Sequence, residues 1–496
     1  MSNKTAIVIG SGLAGLAASI RLTLQGYKVT VIEANKGPGG KVSEFYLTNK
    51  IGENLRFDAG PSLFTLPEAV DELFIIAGKN PRDYYTYYPL EITCKYFYDD
   101  GRQITAYSNP DKFASEIESK TTDDKKALKN YLSHAQDIWQ ITKDIFVFKS
   151  LHLLSTYLKI GTLKSLLRFR RIKAFSTLHQ INSKYFKDKA TIQIFDRFAT
   201  YNGSNPYKAP ATLMVISHLE HNMGAFFPKG GIYSITKALF QLAQDLGVQF
   251  EFETVVKKII TLYGKVAGVE TEHKQLLSDI VVSNMDVSST FLKLLREFKA
   301  PSRILSQEKS TSALIFYWVV AHEFADLEVH NILFSKDYEN EFNCMERGVI
   351  SDDPTVYIYC SNKTEKNDAP AGYENWFVMI NTPYNQGQPW DEIIQIARKQ
   401  IIQKINRQLR CNLEEWIENE EILDPRKIER NTSSYLGALY GNSSNNKFSA
   451  FLRHKNFSEH LPNLFFCGGS VHPGGGIPMV LNSAKIMSEI AEKHSK

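Results

Sequence analysis

Thr5-Ala6-Ile7-Val8-Ile9-Gly10-Ser11-Gly12-Leu13-Ala14-Gly15 is the stretch on which the fold is read. Thr5–Ile9 is a short apolar strand. From Leu13 to Gln25 the spacing turns helical, with Leu13, Leu16, Ala17, Ile20 and Leu24 on one stripe. Gly26 stops the helix, and Lys28–Glu33 is a second strand. Strand, turn, helix and strand within about 30 residues make a β-α-β unit. Gly10, Gly12 and Gly15 form G-x-G-x-x-G at its first turn. Gly10 permits the tight turn, Gly12 removes a side chain that would block a pyrophosphate, and Gly15 lets helix and strand pack closely. The helix start offers unpaired N–H groups and a positive dipole end to phosphate. Glu33 ends the second strand about 20 residues on, where a carboxylate can accept ribose hydroxyls. A structural glycine turn would need none of this context. The segment therefore predicts a dinucleotide cradle of Gly10, Ser11, Gly12, Leu13, Ala14 and Gly15.

Outward from the cradle, the 496-residue chain is too long for one compact core, so two domains or large insertions are expected. Hydrophobic content of 43% and charged content of 23% are those of a globular protein. A net charge of +4 argues against a nucleic-acid partner, which would want a strongly basic face. Aromatic residues reach 12%, which fits a Phe-rich core or a large apolar ligand site. The five cysteines stand at no metal or redox spacing, so no metal is expected and reduced thiols in a cytoplasm fit. The first apolar run opens straight into the glycine turn, unlike a signal peptide. No run of about 18 apolar residues is present to span a bilayer.

From about Asp111 to Lys189 the pattern is helical. Strands follow at Val248–Glu253, Val255–Leu262, Lys265–Thr271 and Ile280–Ser283, then near Thr311–Val320 and Thr355–Cys360. Glu392–Leu409 reads as a helix. The C-terminus returns to strand, glycine turn and helix, with Leu464–Cys467 leading into a helix from about Met479. Between Ile145 and Lys187 there is no Asp or Glu, while nine Lys and Arg alternate with Leu, Phe, Tyr and Ile. Such a segment can lie on an anionic membrane. It can equally be a helical hairpin with a solvated basic face.

Two further motifs carry chemistry. Gly37-Pro38-Gly39-Gly40-Lys41 lets the backbone approach a ligand again and adds a cation near phosphate. Cys467-Gly468-Gly469-Ser470-Val471-His472-Pro473-Gly474-Gly475-Gly476-Ile477-Pro478-Met479 holds five glycines in nine residues and opens a helix. That helix start can stabilise negative charge. His472 is a candidate acid/base group, against a turn histidine bonded to backbone.

The Gly39-Gly40-Lys41 element resembles the second part of the nucleotide motif of the amine-oxidase-like FAD superfamily, which a nicotinamide domain has no reason to carry. With Phe57-Asp58-Ala59-Gly60-Pro61-Ser62, Phe227-Pro228-Lys229-Gly230-Gly231 and Gly474-Gly475-Gly476-Ile477-Pro478, the whole chain resembles the bacterial carotenoid desaturases of the phytoene-desaturase type. Asn202–Leu213 and His218–Asn222 look most like the flavobacterial 1-hydroxycarotenoid 3,4-desaturases.

The resemblance implies a mixed α/β fold: a Rossmann-like FAD-binding domain of the amine-oxidase type, a substrate domain and a helical membrane-facing lobe. The FAD domain would take residues 1–85, 228–290 and 425–496. The substrate domain would take 86–110, 191–227 and 291–424, and the lobe 111–190. By position, Glu33 would meet the adenosine ribose and Lys41 the phosphate region, with Ala34 among the cofactor contacts. Val255 or Val256 would meet adenine, and Ile477, Pro478 and Met479 the flavin ring. Pro61, Ser62, Asn284, Gly468, Gly469 and Gly476 would complete the cofactor contacts. Many flavoproteins of this type place an Asp in a Gly-Asp pair after the last strand, bonding the ribitol; here Gly469-Ser470 stands instead.

The implied reaction removes a hydride and a proton from adjacent carbons of a carotenoid, with oxygen or quinone as the final acceptor. FAD carries the difficult step, and the protein must hold the polyene within about 3–3.5 Å of it. His218, Glu220 and His221 are candidates to meet a hydroxyl end, against a helix surface. The alternatives are a phytoene-type or amine-oxidase-like enzyme, and a lipid carrier like the GDP-dissociation inhibitors of prenylated GTPases. The implied location is cytoplasmic, peripheral to the inner membrane.

Overall fold

A computed structural model of the chain describes residues 4–143, 147–153, 156, 176–446 and 453–494. Five strands form an all-parallel sheet in the order Leu464–Phe466, Ile280–Ser283, Thr5–Ile9, Lys28–Ile32 and Gln249–Glu251. Ala6–Ile9 and Ile280–Val282 read as unbroken apolar runs because both faces are covered, while the edge strand Gln249–Glu251 is partly exposed. Ala6 and Val8 face a helical layer built from Leu13–Leu24, Tyr233–Asp245 and Ile477–His494. Ile7 and Ile9 face the opposite way, onto an antiparallel three-stranded sheet of Val256–Leu262, Lys265–Thr271 and Gln275–Leu277. The helix Leu13–Leu24 ends as its sequence predicts. Gly26 sits at φ +87°, Tyr27 N–H donates to Leu22 O, and Gly26 N–H donates to Thr23 O. These are the two bonds of a Schellman cap.

A second, seven-stranded sheet runs in the order Ile417–Leu423, Ser312–Val320, Glu374–Thr382, Val356–Cys360, His330–Leu333, Ile92–Phe97 and Gln103–Tyr107. All nine residues of Ser312–Val320 are buried, and they alternate between two cores. Leu314, Phe316, Trp318 and Val320 pack against the helix Trp390–Leu409. Ala313, Ile315, Tyr317 and Val319 share the other core with Phe57, Phe227 and Phe377.

The helices Pro110–Lys120, Lys125–Thr142, Leu178–Tyr185 and Lys189–Asp196 each start at a side-chain cap: Asn109, Asp124, Thr177 and Asp188. They share one apolar core with Tyr96 and Ile104 of the seven-stranded sheet and with Phe198 and Met214. The described part of 111–190 therefore shares its core with the seven-stranded sheet. Most of the basic segment between Ile145 and Lys187 lies outside the described residues.

The Phe227–Gly231 stretch has a structural reason. A Cβ on Gly231 would lie 2.0 Å from Arg56 Nη2. Arg56 is gripped there by Asp368 at 2.7 Å, Asp58 at 3.0 Å and Glu44 at 3.3 Å. This buried ion cluster ties the turn after Phe226–Pro228 to the strand Asn54–Asp58.

Candidate active site

The cradle is built by close backbone approach. A Cβ on Gly15 would fall 2.0 Å from the Gly10 carbonyl oxygen, so only glycine lets the helix start this near the strand. Asn284, just past the neighbouring strand Ile280–Ser283, closes it: with its amide turned to set the oxygen toward the helix start, that oxygen accepts from Gly12 N–H at 3.2 Å and Gly15 N–H at 3.3 Å. Two of the helix-start amides are thus taken by protein. Leu13 and Ala14, whose first-turn amides have no helical carbonyl to bond, line the cavity beside them.

Glu33 is 6% exposed. Ser11 N–H and Oγ donate to one of its carboxylate oxygens at 2.7 and 2.8 Å, and Asn35 N–H and Nδ2 donate to the other at 2.9 and 2.8 Å. The two backbone amides fix the carboxylate. The two side-chain donors are rotatable and can yield their places to a diol. Thr254 N–H donates to Glu33 O, which brings Val255 and Val256 to the same end of the cavity; Val255 is half-exposed and Val256 buried.

Gly39 bridges to Gly12, with Gly39 N–H donating to Ser11 O. Lys41 follows into the cavity and donates to Leu439 O at 2.5 Å. Burial pushes its ammonium down to about 8, with Asp286 opposing. A phosphate would stabilise that buried cation.

On the far side stand Gly468, Gly469 and the turn Gly474–Gly476 that opens helix Ile477–His494. Ser470 Oγ accepts from Val287 N–H at 3.0 Å. Arg453 bonds the carbonyls of Tyr440 and Gly469, both at 3.1 Å, and pairs with no carboxylate among the described residues. The sequence reading missed it. His472 does not face the cavity: its Nε2 donates to Lys149 O at 2.8 Å. That is the backbone-bonded turn histidine, and the geometry supports no acid/base role.

All these elements line one cavity of about 1490 Å³. Of the proposed contacts only Ser11 and Gly15 are absent from its wall; they act through Glu33 and Gly10. Past Pro61 and Ser62 the cavity continues between the seven-stranded sheet and the helices. Trp139, Val147, Leu213, Ile216, Leu219 and Met379 line that arm. It also meets a buried polar cluster. Arg197 Nη2 donates to Glu220 Oε1 at 2.8 Å, and Nη1 donates to Tyr201 OH at 2.6 Å. Tyr201 OH donates to Glu220 Oε2 at 2.7 Å, and Tyr96 OH accepts from Arg197 at 2.7 Å. Beside them His330 Nδ1 and Ser62 Oγ each lie 2.7 Å from Tyr357 OH.

The His218–His221 helix is not a surface helix; His218, Glu220 and His221 are all buried. Only Glu220 of the three lines the cavity. His218 Nδ1 accepts from Asn222 Nδ2 at 2.8 Å. His221 stands behind Glu220, 3.8 Å from Oε1, among Phe113, Phe195 and Phe198. Arg197, Tyr201, His330 and Tyr357 escaped the sequence reading. His330-Asn331-Ile332-Leu333 looks like any core strand, and Arg197 follows a helix where exposed arginines are ordinary.

Burial alone would raise the Glu220 carboxyl; Arg197, with His221 and Tyr201, outweighs it and holds the group below its usual range. Burial takes His221, His330 and His472 from 6.5 to about 4. The first two face Glu220 and Arg197, the third His152 and Arg453. An unfolded chain binds more protons in that window, so stability is full above 6.5 and lost as pH falls toward 4. Each shift is worth ~3 kcal/mol at most. The urea midpoint should fall steadily across that range; a flat profile would mean these rings are already charged or solvated.

The cradle, the buried carboxylate beside it and the second glycine pair with its buried lysine fit an extended dinucleotide, and together with the fold they define a flavin-dependent oxidoreductase. Residues 13–490 match the model of the flavin containing amine oxidoreductases, and the chain belongs to that family. Its cofactor is FAD. The chain is 46% identical to a 1-hydroxycarotenoid 3,4-desaturase of Flavobacterium sp. (strain P99-3), over 98% of this chain and 99% of that protein. It is 33% identical to a 4,4'-diaponeurosporene oxygenase of Staphylococcus haemolyticus (strain JCSC1435), over 99% and 97%. An oxidoreductase crystal structure from Methanosarcina mazei shares the fold, with a TM-score of 0.63 at 14% identity, covering 98% of this chain and all of that one.

Proposed function

We propose that this protein is a carotenoid desaturase, acting on the 3,4 bond of a 1-hydroxycarotenoid. The observation that carries the reading is the single cavity. At about 1490 Å³ it exceeds an ordinary small-molecule site of about 300–1,000 Å³. Its cradle end suits a dinucleotide, and its apolar arm suits a second, long ligand. FAD, when bound, supplies a hydride acceptor.

The chain's own residues do the rest. Leu13, Ala14 and Lys41 would hold the phosphates, and Glu33 the ribose. Pro61, Ser62 and Ile477–Met479 would flank the ring. Trp139, Val147 and Leu219 exclude water and align the polyene, which supplies proximity rather than acid/base power. Arg453 and the start of helix Ile477–His494 place positive charge beside the C-terminal turn. The complete cradle disfavours the carrier reading, since a carrier has no use for a phosphate site.

We further propose that the protein contacts the cytoplasmic face of the inner membrane. The acid-free basic segment between Ile145 and Lys187 supports this. Among the described residues no helix is long and apolar enough to cross a membrane.

The test is product analysis of the flavin-loaded protein with hydroxylated and unhydroxylated carotenoids side by side, on anionic liposomes that are then sedimented. The expected result is one added double bond in the hydroxylated substrate and protein in the pellet. Equal conversion of both substrates overturns the substrate assignment. Protein left in the supernatant overturns the membrane contact.

A further inference from the structure

The apolar arm of the cavity contains a polar cluster that a hydrocarbon has no use for. Arg197 and Tyr201 each bond Glu220 and each other, so the buried charges are paired. His330 does not fit that economy. It is 3% exposed, and its Nε2 has no hydrogen-bond partner. Leaving a buried polar atom unpaired is costly and calls for an explanation. The hydrogen bonds around it supply one. Ser62 Oγ can donate to Tyr357 OH, and Tyr357 OH to His330 Nδ1, both at 2.7 Å. The proton of the neutral imidazole then sits on Nε2, as an unused donor. Glu220, which lines the same cavity as His330, offers carboxylate lone pairs beyond the two bonds it accepts. An unused donor and a spare acceptor in the wall of one cavity are the complement of an alcohol, which both accepts and donates.

Resting on the function proposed above, we infer that Glu220 and His330 form the receptor for the tertiary hydroxyl that ends the polyene. The hydroxyl donates to Glu220 and accepts from His330. Arg197 and Tyr201 position the carboxylate, and Tyr357 positions the imidazole. The placement suits the chemistry. In a 1-hydroxycarotenoid the C3–C4 bond begins two carbons from the hydroxyl-bearing carbon, so an anchor must lie beside the reacting bond. Ser62, which the cofactor reading places against the flavin, is joined to His330 through one tyrosine hydroxyl. Anchoring the hydroxyl there selects the bond as well as the substrate.

The experiment compares the flavin-loaded wild type with His330→Phe, Tyr357→Phe and Glu220→Gln. The probes are a carotenoid ending in a tertiary hydroxyl and the same polyene with hydrogen in its place. The readout is the ratio of kcat/KM for the two substrates, with the flavin absorbance as a check on cofactor binding. The wild type should prefer the hydroxylated substrate. In His330→Phe that ratio should fall about tenfold or more, the usual cost of losing one hydrogen bond to a buried group. It should fall less in Tyr357→Phe, where the ring remains but is no longer oriented. If His330→Phe fails to retain flavin, the other two variants decide. A wild type indifferent to the hydroxyl overturns the function itself. A discriminating wild type whose variants keep the full ratio overturns this inference alone.

Discussion

Gly15→Ala should yield protein without bound flavin and less stable by about 3 kcal/mol, the upper end of ordinary overpacking penalties. The new methyl carbon would stand 2.0 Å from the Gly10 carbonyl oxygen, a backbone atom that no rotamer change can move. The helix Leu13–Leu24 would have to lift off the strand Thr5–Ile9. That shift breaks the Asn284 bonds to Gly12 and Gly15 and spoils the alignment of the helix start toward phosphate. Gly37→Ala is the matched control, since a Cβ there meets nothing within 4 Å. Flavin absorbance after gel filtration and a urea unfolding curve read both effects. Retained flavin in Gly15→Ala would mean that the cradle is looser than its geometry.

Arg197→Met should cost about 3–5 kcal/mol, the penalty for stripping one partner from a buried ion pair. Arg197 and Glu220 are both buried, with the guanidinium 2.8 Å from the carboxylate. Adding Glu220→Leu should recover most of that stability, because the pair replaced by apolar groups leaves no uncompensated charge. Turnover should not recover, since displacing the polyene end by about 1 Å costs about a hundredfold.

The pH dependence separates this from general damage. In the wild type the Glu220 carboxyl titrates below its ordinary 4.5, so its contribution is full above that value and fades as pH falls through the folded pKa. Without Arg197, burial raises the group instead, and protonation relieves the variant. The stability gap between the two proteins should therefore narrow as the solution is acidified. A gap of constant size would assign the loss to packing.

Much of this site was legible in the chain because local backbone demands leave local marks. Gly10, Gly12, Glu33 and Gly39-Gly40-Lys41 line one end of the cavity, and Gly15 packs against Gly10 behind them. Strand boundaries at Lys265–Thr271 and Ile280–Ser283 match the reading residue for residue. His472 shows the limit. A histidine in a glycine turn advertises chemistry, yet its ring is spent on Lys149 O, more than 300 residues away in the chain.

The polar cluster was illegible for the same reason. Glu220 stands out from its neighbours in sequence, but the groups around it come from elsewhere: Arg197 from the short helix Arg197–Asn202, and His330 and Tyr357 from two antiparallel strands. No spacing rule connects them. Period and glycine placement, which act over a few residues, specify the β-α-β unit and the phosphate cradle. Which buried groups face one another across the cavity depends on how the seven-stranded sheet is laid over the helices. That arrangement is set by long-range packing, and it decides that the glycine-lined end of the cavity opens into an apolar arm with a polar cluster.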